Sequence, residues 1–258
     1  MPRFAANISM MFTELPFLDR FARACAAGFQ AVEFLFPYEF EAKALAQRLA
    51  DNGLRQVLFN APPGDWAAGE RGMASLPGRQ QEFRDSILKA LDYATALSCP
   101  RLHVMAGLKP EGVPRDTLLA TYAANLAWAA EECAKASVKP VIEPINHRDI
   151  PGFFLNTTDE AAAVISAIGA ERIGMQFDLY HCQITEGDIV MRVEKHLPLI
   201  AHMQVADTPG RHEPGTGEVN WPFVFDRIDA LGYRGWIGCE YRPAGETEAG
   251  LGWFAPYR

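Results

Sequence analysis

The sequence predicts an α/β protein of the (β/α)8 TIM-barrel class, with residues 1–258 forming a single domain. Three observations carry this. Short apolar, β-branched runs alternate with amphipathic stretches eight times. A glycine or proline separates most helices from the next strand. Four successive runs in the second half end on an oxygen-bearing side chain. Strands and helices alternating at this spacing imply parallel pairing through right-handed crossovers, and eight units close most naturally into a barrel. A doubly wound open sheet is the competing architecture. The length suits one barrel with one large core.

Taken in order, residues 4–10 (F-A-A-N-I-S-M) read as the first strand. A helix follows over about residues 16–27, with Phe17, Leu18, Phe21, Ala24 and Cys25 on one face and Gly28 as its stop. A second strand (A-V-E-F-L) starts at Ala31, a helix spans about residues 40–51, Gly53 ends it, and R-Q-V-L-F-N starts at Arg55. The same grammar returns with Gly169 before a strand over 172–178 and Gly232 before one over 236–240, while Pro100 and Pro140 replace the glycine elsewhere. Further helices are expected near residues 79–97, 114–136, 158–168, 187–197, 221–231 and 247–254.

Two connections exceed what packing requires. Residues 60–78 show neither helical nor strand periodicity, and loops of that length are uncommon without a role. Trp66 and Met73 argue for an ordered lid over the rim carrying Glu70 and Arg71, with a packed Ω-loop as the alternative. Residues 206–220 carry Arg211 and His212. Their G-T-G lacks the third glycine and the distal acid of a dinucleotide site, and no P-loop, G-x-S-x-G or H-E-x-x-H occurs, so no organic cofactor is expected.

The stretch V-K-P-V-I-E-P-I-N-H-R-D-I-P-G-F-F concentrates the polar signal. Its β-branched run stops at Glu143, Pro144 blocks continuation of the ladder, and a stiffened polar loop with Asn146, His147, Arg148 and Asp149 leaves the strand there. Downstream runs end on Asp178, Gln204 and Glu240, at separations of 35, 26 and 36 positions, close to one strand-plus-helix unit each. One such residue alone is an ordinary solvated strand end; four in register place four oxygens on one rim. Two glutamates, an aspartate and an amide suit a hard divalent ion, Mg²⁺ or Mn²⁺, rather than zinc or copper. An ion held so polarises a carbonyl and its neighbouring hydroxyl together, which points to isomerisation of a hydroxy-carbonyl compound. His202 and Gln176 lie two residues before Gln204 and Asp178, hence on the same strand face, and read either as supports beneath the metal or as an ordinary buried polar pair. His103 and Glu33 fall inside strands without an assigned role, and Phe34, Phe36 and Trp66 are candidate pocket walls.

A formal net charge of −8 without a basic block argues against a nucleic-acid partner. Five scattered cysteines, never in C-x-x-C spacing, signal neither a disulfide framework nor a zinc ribbon. No apolar run reaches the ~18 residues of a membrane span, and no basic segment with a long apolar run opens the chain. The expectation is a cytoplasmic protein acting on a small molecule, without a membrane partner and with a homo-oligomer left open.

The motifs E-P-I-N-H-R-D-I-P-G-F, G-D-W-A-A-G-E-R-G, Q-F-D-L-Y-H, H-E-P-G-T-G-E-V-N and G-W-I-G-C-E-Y resemble the hydroxypyruvate isomerase family of xylose-isomerase-like barrels over nearly the whole chain. The resemblance implies reversible conversion of hydroxypyruvate and tartronate semialdehyde (2-hydroxy-3-oxopropanoate). It implies metal ligands at Glu143, Asp178, Gln204 and Glu240, with the two glutamates also serving as proton donor and acceptor. M-P-R-F-A-A-N-I-S-M-M-F-T-E and G-L-G-W-F are equally similar to the sister 2-oxo-tetronate isomerases, and E-P-I-N-H favours the hydroxypyruvate enzyme. The wider superfamily usually has histidine where Gln204 stands. His181, three residues after Asp178, is expected to bond a substrate oxygen, as is His147, and Arg71 or Arg211 to receive the substrate carboxylate. Two other functions share this barrel or this site: a zinc endonuclease, which needs a histidine-rich rim, and a non-catalytic sugar-acid binding protein.

Overall fold

Period-two alternation along eight short strands sorts the barrel's side chains into those facing the helices and those facing its axis. The computed structural model describes all residues, Met1–Arg258. Strands β1 (Arg3–Asn7), β2 (Ala31–Glu33), β3 (Arg55–Asn60), β4 (Arg101–His103), β5 (Lys139–Ile142), β6 (Gly174–Asp178), β7 (Ile200–Gln204) and β8 (Trp236–Cys239) pair in parallel in chain order, and β8 returns to β1. The open-sheet alternative is excluded by that closure.

Eight α-helices surround the strands: α1 (Arg20–Ala26), α2 (Ala42–Asp51), α3 (Gln80–Ala96), α4 (Arg115–Lys135), α5 (Thr158–Ile168), α6 (Leu179–Thr185), α7 (Ile189–His196) and α8 (Trp221–Ala230). Their apolar faces bury one large core against the outside of the barrel. Helix α5 starts on a reciprocal capping box, in which Thr157 accepts from the Glu160 amide and Glu160 reaches back to the Thr157 amide.

Three segments differ from the periodicity. The first helix opens as a 3₁₀ turn, Phe17–Asp19. The helix expected over 247–254 is a 3₁₀ stretch, Glu248–Tyr257, because Gly250, Gly252 and Pro256 disfavour an α-helix; its aromatic rings pack edge-on against Phe4 of β1. Helix α6 was not foreseen, since it begins directly on the last residue of β6 with no intervening loop.

Inside the barrel the layers differ in chemistry. At the amino end Ala5, Ala31, Val57 and Trp236 form a small apolar plug separate from the main core. Above it, Asn7, Glu33, Gln176 and His202 are buried polar groups, where branched aliphatic side chains would ordinarily fill the layer. Glu143, Asp178, Gln204 and Glu240 stand at the carboxyl ends. No helix is long and apolar enough to cross a membrane.

Candidate active site

A cavity of about 810 Å³ opens at the carboxyl ends of the strands, the face on which barrel enzymes build their sites. On one side it is lined by Glu143, Ile145, Asp149, His181, Arg211, Glu240 and Arg242, and on the other by Met10, Leu35, Phe36, Trp66, Arg71, His103 and Met105.

The carboxylates sit where strands end. Pro144 terminates β5 just after Glu143, and Glu240 directly follows β8. Asp178 does two jobs: it closes β6 and caps α6, its Oδ1 accepting from the Tyr180 amide at 2.8 Å. That bond leaves Oδ2 buried without a partner, as is Oε1 of Glu143. Ligand atoms of Glu143, Asp178, Glu240 and His181 lie within 4.8 Å of one another. Burial, reinforced by the neighbouring carboxylates, pushes the Glu143 pKa well above the usual range; burial likewise raises Glu240 to about 8 and Asp178 to about 6.

Arg211 is the one guanidinium inside this cluster. Its Nη2 donates to Glu240 Oε2 at 2.6 Å and stands 3.9 Å from Asp178 Oδ2, while Nη1 donates to Asp149 Oδ2 at 2.8 Å. Burial opposes its charge, but the carboxylates around it, Glu240 first, more than offset that. Its backbone is left-handed, at φ +56°, an uncommon conformation for a side chain of this size. The turn is held by Asp207, whose carboxylate accepts from the amides of Thr208, Gly215 and Gly217.

The tautomer of His181 follows from its neighbours. Asn146 Oδ1 accepts from the Asp149 amide at 2.8 Å, so its amide nitrogen faces His181 Nδ1 at 2.6 Å. Nδ1 is therefore the acceptor and Nε2 carries the proton, 3.6 Å from Asp178 Oδ2 and 3.8 Å from Glu143 Oε1. Burial, with Arg211 nearby, holds the ring neutral, its pKa well below the ordinary histidine value. Such a ring offers an N–H to a substrate oxygen. His103, whose ring nitrogens have no partner, lies 3.6 Å from Glu143 Oε2, and burial lowers its pKa to about 3.

The loop over 60–78 packs against the segment around Gly107 and walls one side of the cavity. Gly72 and Gly107, both at positive φ, press together so closely that a Cβ on Gly72 would overlap the Met105 carbonyl and one on Gly107 would meet that of Gly72. Glu70 pairs with Arg79 and accepts from the Asp65 amide, holding the loop together. Arg71 reaches the cavity, its guanidinium 3.8 Å over the Trp66 ring, which packs on Phe36.

The structure thus brings Glu143, Asp178, Glu240, His181 and Arg211 together and places Arg71 across the cavity. Gln204 is the cross-strand neighbour of Asp178, but its amide is engaged by Gln176 and Glu33. His147 is exposed on the turn after Ile145 and lies outside the cavity lining, whereas Asn146 is buried and Asp149 lines the cavity. His212 bonds the Arg242 carbonyl and also stays outside. Sequence reasoning missed Asn146, Asp149 and His103 as site residues. Polar residues adjoining a strand end were the available signal.

Three carboxylates against one guanidinium, with buried oxygens left unpartnered, form a donor set that fits a hard divalent cation.

A family model described as xylose isomerase-like TIM barrel matches residues 21–257. A 2-oxo-tetronate isomerase from Cupriavidus necator is 57% identical over 100% of this chain and 99% of its own. A hydroxypyruvate isomerase from Escherichia coli is 46% identical over 100% of both chains. A solved structure titled AP endonuclease, family 2, from Brucella melitensis superimposes with a TM-score of 0.98 at 50% identity, covering 100% of both chains.

Proposed function

The chain belongs to the xylose isomerase-like TIM barrel family, and on that footing we propose that it is an isomerase that shifts a proton between adjacent carbons of a small 2-oxo acid, with hydroxypyruvate as substrate. The observation that carries this reading is the pair Glu143 and Glu240, buried at the ends of separate strands of one cavity, each with its pKa raised by burial, Glu240 to about 8. A carboxylate so tuned both takes and returns a proton near neutral pH.

Conversion of hydroxypyruvate to 2-hydroxy-3-oxopropanoate removes a proton from C3 and adds one at C2, while the hydroxyl proton passes between the two oxygens. Glu143 leaves β5 and Glu240 leaves β8, so the two flank a molecule lying across the cluster. One abstracts and the other donates, and the roles reverse with direction. His181 Nε2–H donates to a substrate oxygen, and Arg211 or Arg71 takes the carboxylate. Glu143, Asp178 and Glu240, with Gln204 beside Asp178, would hold Mg²⁺ or Mn²⁺, which would polarise the two substrate oxygens and stabilise the charge left by the departing proton. Phe36 and Trp66 form an aromatic wall on the opposite side of the cavity.

A second substrate has its own support: the Cupriavidus necator relative, at 57% identity, is named for 2-oxo-tetronate, one carbon longer. An endonuclease reading is weakened by the oxygen-rich donor set and the net charge of −8. Assaying hydroxypyruvate and 2-oxo-tetronate side by side with added Mg²⁺ or Mn²⁺ tests the proposal. Turnover of the first at higher kcat/KM is the expected result, preference for the second selects the longer acid, and turnover of neither rejects the isomerase.

A further inference from the structure

Below the cavity floor lies a hydrogen-bonded chain of which the mechanism above uses only Gln204. Glu33, the last residue of β2, is fully buried inside the barrel. Its Oε1 accepts from Gln204 Nε2 at 2.8 Å and from Asn7 Nδ2 at 3.0 Å, and its Oε2 takes His202 Nε2 at 2.6 Å. Gln204 in turn accepts at Oε1 from Gln176 Nε2 at 2.5 Å. Gln176, two residues before Asp178 on β6, lies beside Glu143. The barrel is shaped around this carboxylate: on β8, directly across from Gln204, stands Gly238, and a Cβ there would overlap the Glu33 side chain.

The chain has a direction, and the carboxylate sets it. A primary amide has a donor end and an acceptor end of nearly equal shape, so a buried glutamine is oriented only by what its neighbours can accept. Glu33 Oε1, with two side-chain N–H groups aimed at it, acts as an acceptor. It therefore draws the nitrogen of Gln204 and turns the oxygen away, toward Gln176. Gln176 must then present its nitrogen to that oxygen, which places the same donor group beside Glu143. Were Gln204 reversed, its oxygen would face the Glu33 carboxylate and two nitrogens would confront each other at Gln176. In a buried site each such mismatch leaves a polar group unsatisfied, which disfavours the reversed orientation.

We propose that Glu33 is a positioning residue that fixes the side-chain amide of Gln204, and through it that of Gln176, so that an oxygen of Gln204 and a nitrogen of Gln176 face the carboxylate cluster. The role belongs to Oε1 as an acceptor, not to the negative charge. A glutamine at position 33 supplies the same acceptor at Oε1 and directs its nitrogen at His202, whose Nε2 accepts when the ring proton moves to Nδ1. That nitrogen has no partner, so the swap costs stability while preserving the chain. Methionine at position 33 supplies no acceptor and releases Gln204.

The inference rests on the proposed function for its catalytic consequence but not for its geometry, so the experiment reads both. Side-chain amide signals of Gln204, identified by their disappearance in Gln204→Met, are followed by ¹H–¹⁵N spectra and solvent exchange in the metal-free protein. In parallel, Mn²⁺ affinity is measured by calorimetry, and kcat and KM with hydroxypyruvate. The expected result is that Glu33→Met loses the slowly exchanging Gln204 signals, weakens Mn²⁺ binding and lowers kcat by about 10–100-fold, with KM little changed. Glu33→Gln keeps the protected signals and recovers kcat to within about threefold, with a lower Tm. If Glu33→Gln loses the signals or is as impaired as Glu33→Met, the acceptor role is wrong and charge or packing is what matters. If Glu33→Met retains protected Gln204 signals, the orientation does not depend on Glu33. Should Glu33→Met fail to fold, the Glu33→Gln outcome decides alone. A wild-type protein that neither binds Mn²⁺ nor turns over hydroxypyruvate speaks against the proposed function, and the amide spectra still decide this one.

Discussion

The two halves of the barrel bring unequal charge to the same cavity. Strands β5–β8 and their loops deliver Glu143, Asp149, Asp178, Arg211, Glu240 and Arg242 beside Ile145 and Ile150, whereas β1–β4 deliver Met10, Leu35, Phe36, Trp66 and Met105 with the uncharged polar groups of Ser9, Thr13 and Asn60, and Arg71 as their one formal charge. His103, neutral at working pH, sits at the seam. The division teaches that one half is built to hold charge and move a proton and the other to shape the space and shed water. Substitutions of cavity-lining residues in the charged half should therefore act chiefly on kcat, and those of residues lining the other half chiefly on KM.

The largest effect is expected at the paired glutamates. Glu143→Gln and Glu240→Gln keep an oxygen while removing the base, so each should lower kcat by about 10³-fold with hydroxypyruvate. If either variant turns over near normally with metal shown to be bound, that residue is a ligand only and the two-carboxylate mechanism is wrong. Arg211→Met comes next. It removes the cation joining Glu240, Asp149 and Asp178, and kcat/KM should fall about 10²-fold through both parameters. Arg211→Lys should recover little, because one ammonium cannot span Asp149 and Glu240 as the planar fork does. Full recovery by lysine would reduce Arg211 to a point charge.

A third consequence is thermodynamic. Glu240 has its folded pKa raised from 4.5 to about 8, so in the metal-free protein the folded state holds a proton that the unfolded chain releases earlier. The contribution is complete below about pH 4.5 and is lost as pH rises through 8. Metal-free protein should thus lose several degrees of Tm between pH 6 and 9. Excess Mg²⁺ or Mn²⁺ should restore most of it at the alkaline end, where the carboxylates are ionised and ready to bind. A Tm that is flat with pH, and unmoved by metal, would break the claim that the charged half is under electrostatic load.

The charged half was also the legible half. Glu143, Asp178 and Glu240 announce themselves together: one charge at the end of an apolar strand is ordinary, but its recurrence about one strand-plus-helix unit apart puts the oxygens on one rim. Arg211 was readable as the cation of an over-long loop. What failed was the choice among neighbours. In Asn146-His147-Arg148-Asp149 four polar side chains stand in a row, and only the turn geometry decides that Asn146 and Asp149 face inward while His147 faces out. Glu33 carried no visible signal, since a carboxylate inside a three-residue strand is meaningful only once Asn7 arrives from β1 and His202 and Gln204 from β7. The fold was legible throughout, except where α6 follows β6 without a turn and where glycines and Pro256 unwind the last helix.

The smallest effect should come from the apolar half, and it tests the division most directly. Arg71 spends Nη1 on the carbonyls of Glu70, at 2.7 Å, and Trp66, at 3.1 Å, leaving Nε and Nη2 for a ligand. Its guanidinium is aimed by stacking on Trp66, and Trp66 is aimed by Phe36, at a ring separation of 5.1 Å. A carboxylate bound across the cavity from the reacting carbons is held equally before and during proton transfer. Arg71→Met should then raise KM about tenfold and leave kcat within about threefold. Trp66→Leu removes only the stack and should raise KM by about threefold, since cation–π contacts at exposed sites contribute about 0.5–1 kcal/mol. If Arg71→Met instead lowers kcat as far as Arg211→Met does, the loop over 60–78 takes part in the chemical step, and the separation of a charged catalytic half from an apolar binding half does not hold.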